Sequence, residues 1–139
     1  MDLDTALRYA RATNRSVLTT LRGNGLPQLS NVLHAVGDDG LIRISTTADR
    51  AKYTNLRRRP WAAVKIDGES FWSYAVLEGD VELSAVAADP GDEATDELVE
   101  LYRRLSGEHP DWDDYRRSMV ADRRVVVRVR PNRAYGLAG

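Results

Sequence analysis

With 139 residues, a net charge of −1 and a composition that is 42% hydrophobic and 29% charged, the chain is long enough to bury a core and has no large excess of either charge. It has no cysteine, which excludes disulfides and thiol chemistry, and its two histidines, His34 and His109, lack the spacing of a metal site. We find no signal peptide and no apolar run near the ~18 residues of a membrane span, so we expect one cytoplasmic domain over residues 1–139 with no metal, membrane or nucleic-acid partner.

The N-terminal half of the chain predicts one helix followed by an antiparallel β-meander. Apolar residues at helical spacing favour a helix over residues 2–12. The later β-branched and alternating segments are separated by the sequences Gly-Asn-Gly and Asp-Asp-Gly, which are typical of tight turns. These turns divide three predicted strands, at residues 16–21, 27–36 and 41–46.

The C-terminal half predicts more strands and a helical excursion. A helix from about residue 48, capped by Thr46 or Thr47, should end before Pro60 because the residue before proline avoids helical geometry. The later predictions are strands at 61–67 and 71–84, the second with a bulge or a close backbone approach at Gly79. They are followed by a helix beginning at Asp89 and Pro90, a helix at 111–121, and a strand at 125–130 that 134–137 can extend. About six strands joined mostly by short turns favour an antiparallel sheet that can close as a barrel.

Residues 45–61 read STTADRAKYTNLRRRPW and concentrate hydroxyls and cations where a strand is predicted to end and a helix to begin. The side chains at that point are Ser45, Thr46, Thr47, Arg50 and Lys52. A helix N-terminus presents free N–H groups and a partial positive charge, and hydroxyls and cations add further donors for an anion. The segment therefore predicts a phosphate site; the alternative is a capped surface helix with solvated cations.

Two other groups of side chains are candidates for a pocket. Gln28, Ser30 and Asn31 place polar groups on both faces of the second predicted strand, which suits either a flat heterocycle beside the strand or an edge strand facing water. Trp72 and Tyr74 share a face of a later predicted strand, where they can stack on a ring or pack in the core or against a second subunit.

Sequence motifs for nucleophilic catalysis and for the common nucleotide folds do not occur. There is no GxSxG, no GxGxxG after a strand and no GxxxxGK[ST]. We predict no catalytic residue. His34 is expected to be a strand residue with a satisfied ring, and His109 a loop residue.

Four segments in this order, GLPQLSNV, STTADRAKYTNLRRRP, WSYAVLEGDVEL and LYRRLSGEHPDWDDYRRSMVADRRVVV, resemble the F420-dependent reductases of the pyridoxamine 5′-phosphate oxidase-like superfamily. The likeness is to the actinobacterial, B-type deazaflavin-dependent oxidoreductases and runs from about residue 15 to the last strand. It implies a mostly β fold, a six-stranded antiparallel split β-barrel of the FMN-binding type, with a helical insertion at about 89–121.

The resemblance also implies a reaction and an assembly: hydride transfer from reduced coenzyme F420 to a small organic acceptor, in a homodimer with two cofactor sites at the subunit interface. The residues that it assigns to the cofactor are Gln28, Ser30, Asn31, Ser45, Thr46, Thr47, Arg50, Lys52, Trp72 and Tyr74. Of these, Arg50 and Lys52 would contact the phosphate and the anionic tail. Trp72 and Tyr74 would come from the partner subunit.

Other functions are compatible with the same residues. FMN also carries a phosphate, which Arg50 and Lys52 would serve equally well, so an FMN-binding flavoprotein of the same fold is the nearest alternative. A non-enzymatic cofactor carrier or haem-binding split-barrel protein is a third, with His34 as the one candidate axial ligand. Quinones, unsaturated lactones, tetrapyrroles and nitroaromatic compounds all stay open as substrates.

Overall fold

The fold is an antiparallel sheet with four helices, described by a computed structural model for residues 1–138. No helix in this part of the chain is long and apolar enough to cross a membrane. The elements are α1 (Leu3–Ala12), β1 (Arg15–Leu21), β2 (Pro27–Leu33), β3 (Ala35–Val36), β4 (Ile42–Thr47), α2 (Ala51–Arg58), β5 (Trp61–Asp67), β6 (Tyr74–Leu83), α3 (Glu93–Ser106), α4 (Trp112–Ala121) and β7 (Arg124–Leu137).

The sheet curls on itself because its first and last strands are consecutive in the chain. Its order is β2-β1-β5-β6-β7-β4-β3, and the paired strands are antiparallel. His34 alone separates β2, which pairs with β1, from β3, which pairs with β4. The sequence predicted residues 27–36 as one strand, and counting β2 and β3 together gives the six strands expected. The fold is thus the mostly β split barrel that the resemblance implied.

His34 interrupts the strand because its ring is turned into the interior. The residue is fully buried, with Nδ1 2.9 Å from Ser16 Oγ and Nε2 2.8 Å from the Ala10 carbonyl oxygen. Its backbone N–H donates to the Asn14 carbonyl at 2.8 Å instead of continuing the β2 ladder. Burial lowers the pKa of the His34 imidazole, which favours the neutral ring. The prediction of a satisfied ring is confirmed, and the new feature is the break in the strand.

The core lies inside the curled sheet and under α1. Alternate strand residues such as Leu18, Ile44 and Leu77 are fully buried, and Ala6 and Ala10 bring one face of α1 against them. Small residues on that face let the helix approach the strands closely. Burying each of the large side chains contributes about 1.5–3 kcal/mol, which makes this cluster the main source of stability.

Two predicted boundaries near the candidate site are wrong. Helix α2 begins at Ala51, with Arg50 at its N-cap and no side-chain capping bond, because β4 continues to Thr47 and a turn follows it. Thr47 instead donates to the Asp49 carboxylate. Strand β6 begins at Tyr74, so Trp72 lies in the preceding turn and does not share a strand face with Tyr74.

The turn before β6 is closed by a bond from the Gly68 N–H to the Ser73 carbonyl at 2.8 Å. Ser73 is buried against Gly68, where a Cβ would lie 1.7 Å from Ser73 Oγ, so this position requires glycine. This packing ends the β-ladder at Tyr74. Phe71 and Trp72 are left at the tip of the turn.

The bulge predicted at Gly79 is confirmed. The register between β6 and β7 shifts between Glu78 and Gly79. A Cβ at Gly79 would lie 1.9 Å from the Arg130 carbonyl oxygen, so the close approach of the two backbones at this bend admits only glycine.

Helices α3 and α4 fall within the predicted 89–121 excursion, and α3 lies against β4 and β7. Helix α3 is capped by Asp92, not by the predicted Asp89 and Pro90, because the Asp92 carboxylate accepts from the Thr95 N–H at 2.8 Å. Glu97 of α3 accepts from Arg43 Nε at 2.9 Å and from Arg128 Nε at 2.7 Å. Burial opposes ionisation of Glu97, but the bonds from Arg128 and Arg43 outweigh it and lower its pKa.

Candidate functional site

The hydroxyl residues at the end of β4 are divided between the two faces of the sheet. Ser45 and Thr47 point to the outer face, where Arg43 also lies and which α3 partly covers. Thr46 points the other way, in line with the core residue Ile44, and is 3% exposed. The outer face of the sheet therefore receives two of the three predicted hydroxyls.

The turn after Thr47 presents the first cations of the site. The Ala48 N–H donates to the Arg123 carbonyl at 3.0 Å and the Arg50 N–H to the Thr47 carbonyl at 3.1 Å, which fixes the path from β4 into α2. Arg50 is exposed, and Lys52 in the first turn of α2 is partly buried. The predicted cations are thus next to the predicted hydroxyls at a helix N-terminus without a side-chain cap.

Arg124, the first residue of β7, is a member of this site that sequence reasoning missed. It pairs directly with Thr47 across the β4–β7 ladder, so the two side chains share the outer face. Arg124 Nη1 lies 3.4 Å from Ser45 Oγ. The sequence DRRVVV contained a signal, because the side chain of a cation at the start of a strand can lie beside the side chains of the neighbouring strand. The pairing of β7 with β4, which identifies that neighbour, was not predicted.

We call Arg50, Lys52 and Arg124 the cation cluster. Within residues 1–138 none of the three has a carboxylate oxygen within 4.0 Å. Burial, together with the charges of Arg50 and Arg124, lowers the pKa of Lys52. Asp49 is the nearby acid, and its carboxylate accepts from Thr47. Arg50 interacts with the charge of Asp49 but forms no ion pair with it. Cations without ion pairs beside the Ser45 hydroxyl fit an anionic group such as a phosphate.

The three predicted polar side chains of β2, Gln28, Ser30 and Asn31, differ in their hydrogen bonds and exposure. Gln28 Oε1 accepts from Asn55 Nδ2 of α2 at 2.8 Å, so this residue already joins β2 to α2. Ser30 is partly buried and Asn31 exposed on the outermost strand of the ladder that β2 forms with β1. Asn31 also lines a cleft of about 410 Å³ together with Lys65.

Trp72 and Tyr74 lie far from the cation cluster within one chain. Tyr74 pairs with Leu137 at the end of β7, and Arg124 is at the start of that 14-residue strand. At about 3.3 Å per residue the path along the strand is roughly 40 Å. Phe71 and Trp72 are 88% and 72% exposed, and their rings meet edge to face at 4.8 Å. We call the segment 68–73 the aromatic turn.

Both histidines make hydrogen bonds within the chain. Both ring nitrogens of His34 are engaged inside the barrel, which leaves neither for a haem iron. His109 lies in the loop between α3 and α4, as predicted, where its Nδ1 accepts from the Asp111 N–H at 2.9 Å and its ring contacts that of Tyr102 at 5.2 Å. Among the described residues there is no group of three or more potential metal ligands.

The family model for pyridoxamine 5′-phosphate oxidase matches residues 3–138. The chain belongs to that family. Because the match spans nearly the whole chain, both the cation cluster and the α3–α4 segment lie inside the family's region.

Solved structures agree on the fold. A conserved hypothetical protein from Mycobacterium tuberculosis has a TM-score of 0.74 at 24% identity, covering 98% of this chain and 84% of that one. An F420 reductase has a TM-score of 0.66 at 24% identity, covering 97% of both chains. An FMN-binding protein related to pyridoxamine 5′-phosphate oxidase, from Nostoc punctiforme, has a TM-score of 0.65 at 15% identity, covering 95% and 80%. At these identities the likeness concerns the fold.

Proposed function

We propose that the protein is an F420-dependent reductase that transfers a hydride from reduced F420 to a small organic acceptor. The observation that carries the proposal is the cation cluster beside Ser45 and Thr47, which forms no ion pair with a carboxylate among the described residues. F420 carries a phosphate and an anionic tail, so it offers the charge that this cluster lacks. The similarity in fold to a protein named F420 reductase supports the choice.

The residues present fit such a cofactor at its phosphate end. Ser45 would donate a hydroxyl hydrogen bond, and Thr47 would do so in place of its bond to Asp49. Arg50 and Lys52 would supply charge from the turn and from the first turn of α2. Ser30 and Asn31 point to opposite faces of β2, so one of the two would lie along the ring system, whereas Gln28 is already bonded to Asn55. Thr46 belongs to the core and would act only by supporting its neighbours.

The proposed site is shared between two subunits of a homodimer. Trp72 and Tyr74 lie at the opposite end of β7 from the cation cluster, so one chain does not bring these two predicted parts together. The exposed pair Phe71 and Trp72 supplies apolar area of the kind that subunit interfaces cover. A two-fold arrangement would allow the aromatic turn of one subunit to reach the cation cluster of the other.

Reduced F420, when bound, supplies the hydride. The residues of this chain would bind and orient the cofactor: Arg50 and Lys52 hold the anionic end, and the partner subunit's Trp72 and Tyr74 cover the ring and exclude water. No side chain is assigned as the proton source for the reduced product.

FMN is the second candidate, because the cation cluster would serve its phosphate equally well and one similar structure is named as FMN-binding. Haem is disfavoured, since both nitrogens of His34 are already engaged.

The test is a titration of purified apo-protein with F420 and, separately, with FMN, followed by tryptophan fluorescence. Arg50→Ala and Lys52→Ala are titrated beside the wild type. We expect tighter binding of F420 than of FMN, and a loss of about 10- to 100-fold in F420 affinity for each substitution, since a charge-assisted contact contributes about 1.5–3 kcal/mol.

Arg57→Ala is the matched control. Arg57 is an exposed cation on the same helix whose guanidinium lies over the ring of Tyr53 at 5.8 Å. Tighter binding of FMN would move the protein to the flavin branch of the family. Binding that does not respond to Arg50 or Lys52 would contradict the phosphate site.

A further inference from the structure

Arg124 has an environment that a solvated surface arginine would not have. Its side chain is partly buried beside β4, and the Nη1 atom is 3.4 Å from Ser45 Oγ, a long contact for a hydrogen bond. The Nε atom is buried and has no hydrogen-bond partner among the described residues. It is the one buried side-chain nitrogen or oxygen in residues 1–138 that is left without a partner.

An unpaired buried donor on a permanently charged group is unfavourable, because burial removes the water that would otherwise solvate it. Other arginines on the same outer face are paired: Arg43 and Arg128 share Glu97, and each has a second acid, Asp39 for Arg43 and Glu82 for Arg128. Arg124 has no carboxylate within 4.0 Å in this part of the chain, although it shares a face with those residues. The fold thus neutralises two arginines of this face and leaves the third, beside the predicted phosphate site, without a counter-charge.

Tyr115 of α4 interacts electrostatically with Arg124, but it does not supply that counter-charge. The Tyr115 hydroxyl donates to the Leu98 carbonyl of α3 at 3.1 Å. Burial raises the pKa of Tyr115 to about 12, so the phenol stays neutral at physiological pH. Helix α4 therefore brings a neutral phenol near Arg124 and no charge that pairs with it.

We propose that Arg124 is a third anion-binding side chain, which binds the phosphate ester of the cofactor together with Arg50 and Lys52. A guanidinium can give two parallel hydrogen bonds to phosphate oxygens. The Nε atom is enclosed in the observed conformation, so the Arg124 side chain would turn toward the ligand for Nε to become one of the two donors. The proposal rests on the proposed function only in requiring a ligand that carries a phosphate.

The test compares ligands that differ by the phosphate: FMN with riboflavin, and F420 with the deazaflavin that lacks the phosphate and tail. Each is titrated against the wild type and Arg124→Met by fluorescence. We expect Arg124→Met to weaken binding of the phosphate-bearing member of each pair by about 10- to 100-fold and to leave the phosphate-free member within about two-fold. Equal losses for both members, or no loss for either, would overturn the proposal.

Two further variants separate binding from structure. Arg124→Lys keeps the charge without the fork and should recover part of the affinity. Arg130→Met changes an exposed arginine of the same strand, 3.7 Å from Glu82, and should leave both ligand pairs unaffected. Because the Arg124 Nε atom satisfies no partner, Arg124→Met should not lower the melting temperature of the apo-protein, whereas a structural arginine would lower it.

Inorganic phosphate provides an answer that depends on neither cofactor. Its effect on the melting temperature is measured for the wild type and for Arg124→Met. Stabilisation of the wild type alone supports the site even if F420 fails to bind, in which case only the proposed function fails. Equal responses of the two proteins, or no response of the wild type together with no preference for the phosphate-bearing ligands, overturn the role of Arg124.

Discussion

The cation cluster and the aromatic turn differ in how completely one chain assembles them. Arg50 comes from the turn after β4, Lys52 from α2 and Arg124 from β7, and the β4–β7 ladder and the start of α2 bring them close together. The aromatic turn meets none of them: Phe71 and Trp72 contact each other and are otherwise mostly exposed.

This difference separates two kinds of site. A group of charges can be exposed and still complete, because water solvates it until an anion arrives. Exposed aromatic rings gain free energy only when another surface covers them. The cation cluster is therefore a site within one chain, whereas the aromatic turn is half of a contact whose other half, in our proposal, belongs to a second copy.

The largest effect should come from reversing a charge in the cation cluster. Lys52→Glu is expected to weaken binding of a phosphate-bearing cofactor by at least about 100-fold, since it removes one attraction and adds a repulsion.

Trp72→Ala should lower the affinity for the cofactor by about 10-fold, because stacking of one ring contributes on the order of 1–2 kcal/mol. Titrations at several salt concentrations check the distinction: Trp72→Ala should keep the wild-type salt dependence and Lys52→Glu should reduce it. Equal salt slopes would contradict it.

A mixture of variants tests whether the two parts meet across subunits. Co-expression of Lys52→Glu with Trp72→Ala chains should regenerate about a quarter of the wild-type sites, because half of randomly assembled two-fold dimers are mixed and each mixed dimer holds one intact site. Active-site titration of the mixture measures this fraction, and each variant expressed alone is the control. If the site lies within one chain, mixing restores nothing.

The cation cluster should also respond to pH, and the aromatic turn should not. Because the pKa of Lys52 is lowered in the free protein, Lys52 loses its proton at a pH below the ordinary value of 10.5. A bound anion favours the ammonium form of Lys52 and so raises its pKa again. At a pH between the pKa of the free protein and that of the complex, binding therefore takes up a proton, and the affinity falls as the pH rises through the pKa of the free protein. Calorimetry in two buffers of different ionisation enthalpy measures the uptake. Lys52→Arg, which stays protonated, should abolish it, and uptake by that variant would contradict the assignment.

The smallest effect concerns Gln28, which the structure ties to α2. The Nδ2 group of buried Asn55 donates to Gln28 Oε1 at 2.8 Å and to Thr20 Oγ1 at 3.1 Å. Gln28→Ala removes the first acceptor and leaves only the second. We expect a loss of about 1 kcal/mol in the free energy of unfolding. Gln28→Glu, which keeps an acceptor, is the control. Urea unfolding of the two variants measures the difference, and equal stability would show that the tie contributes nothing.

The fold was largely predictable because its signals are local. Strand β5 lies at 61–67 as predicted, and the glycine signal for the bulge in β6 was read correctly. The errors lie where a tertiary contact overrides a local pattern. His34 leaves the strand ladder to bury its ring, and β4 extends through Thr47 because Arg124 pairs with it, which moves the start of α2.

The sequence by itself determined the charge of the candidate site, since Arg50 and Lys52 follow the hydroxyl residues at 45–47 within a few positions of the chain. Only the tertiary structure decided that Arg124, 79 residues away from Ser45, completes the cluster. It also decided that Thr46 faces the core, that Gln28 binds Asn55, and that Trp72 lies at the opposite end of β7. The physical reason is that strand pairing and burial set the face and partner of each side chain, and both depend on residues far away in the chain.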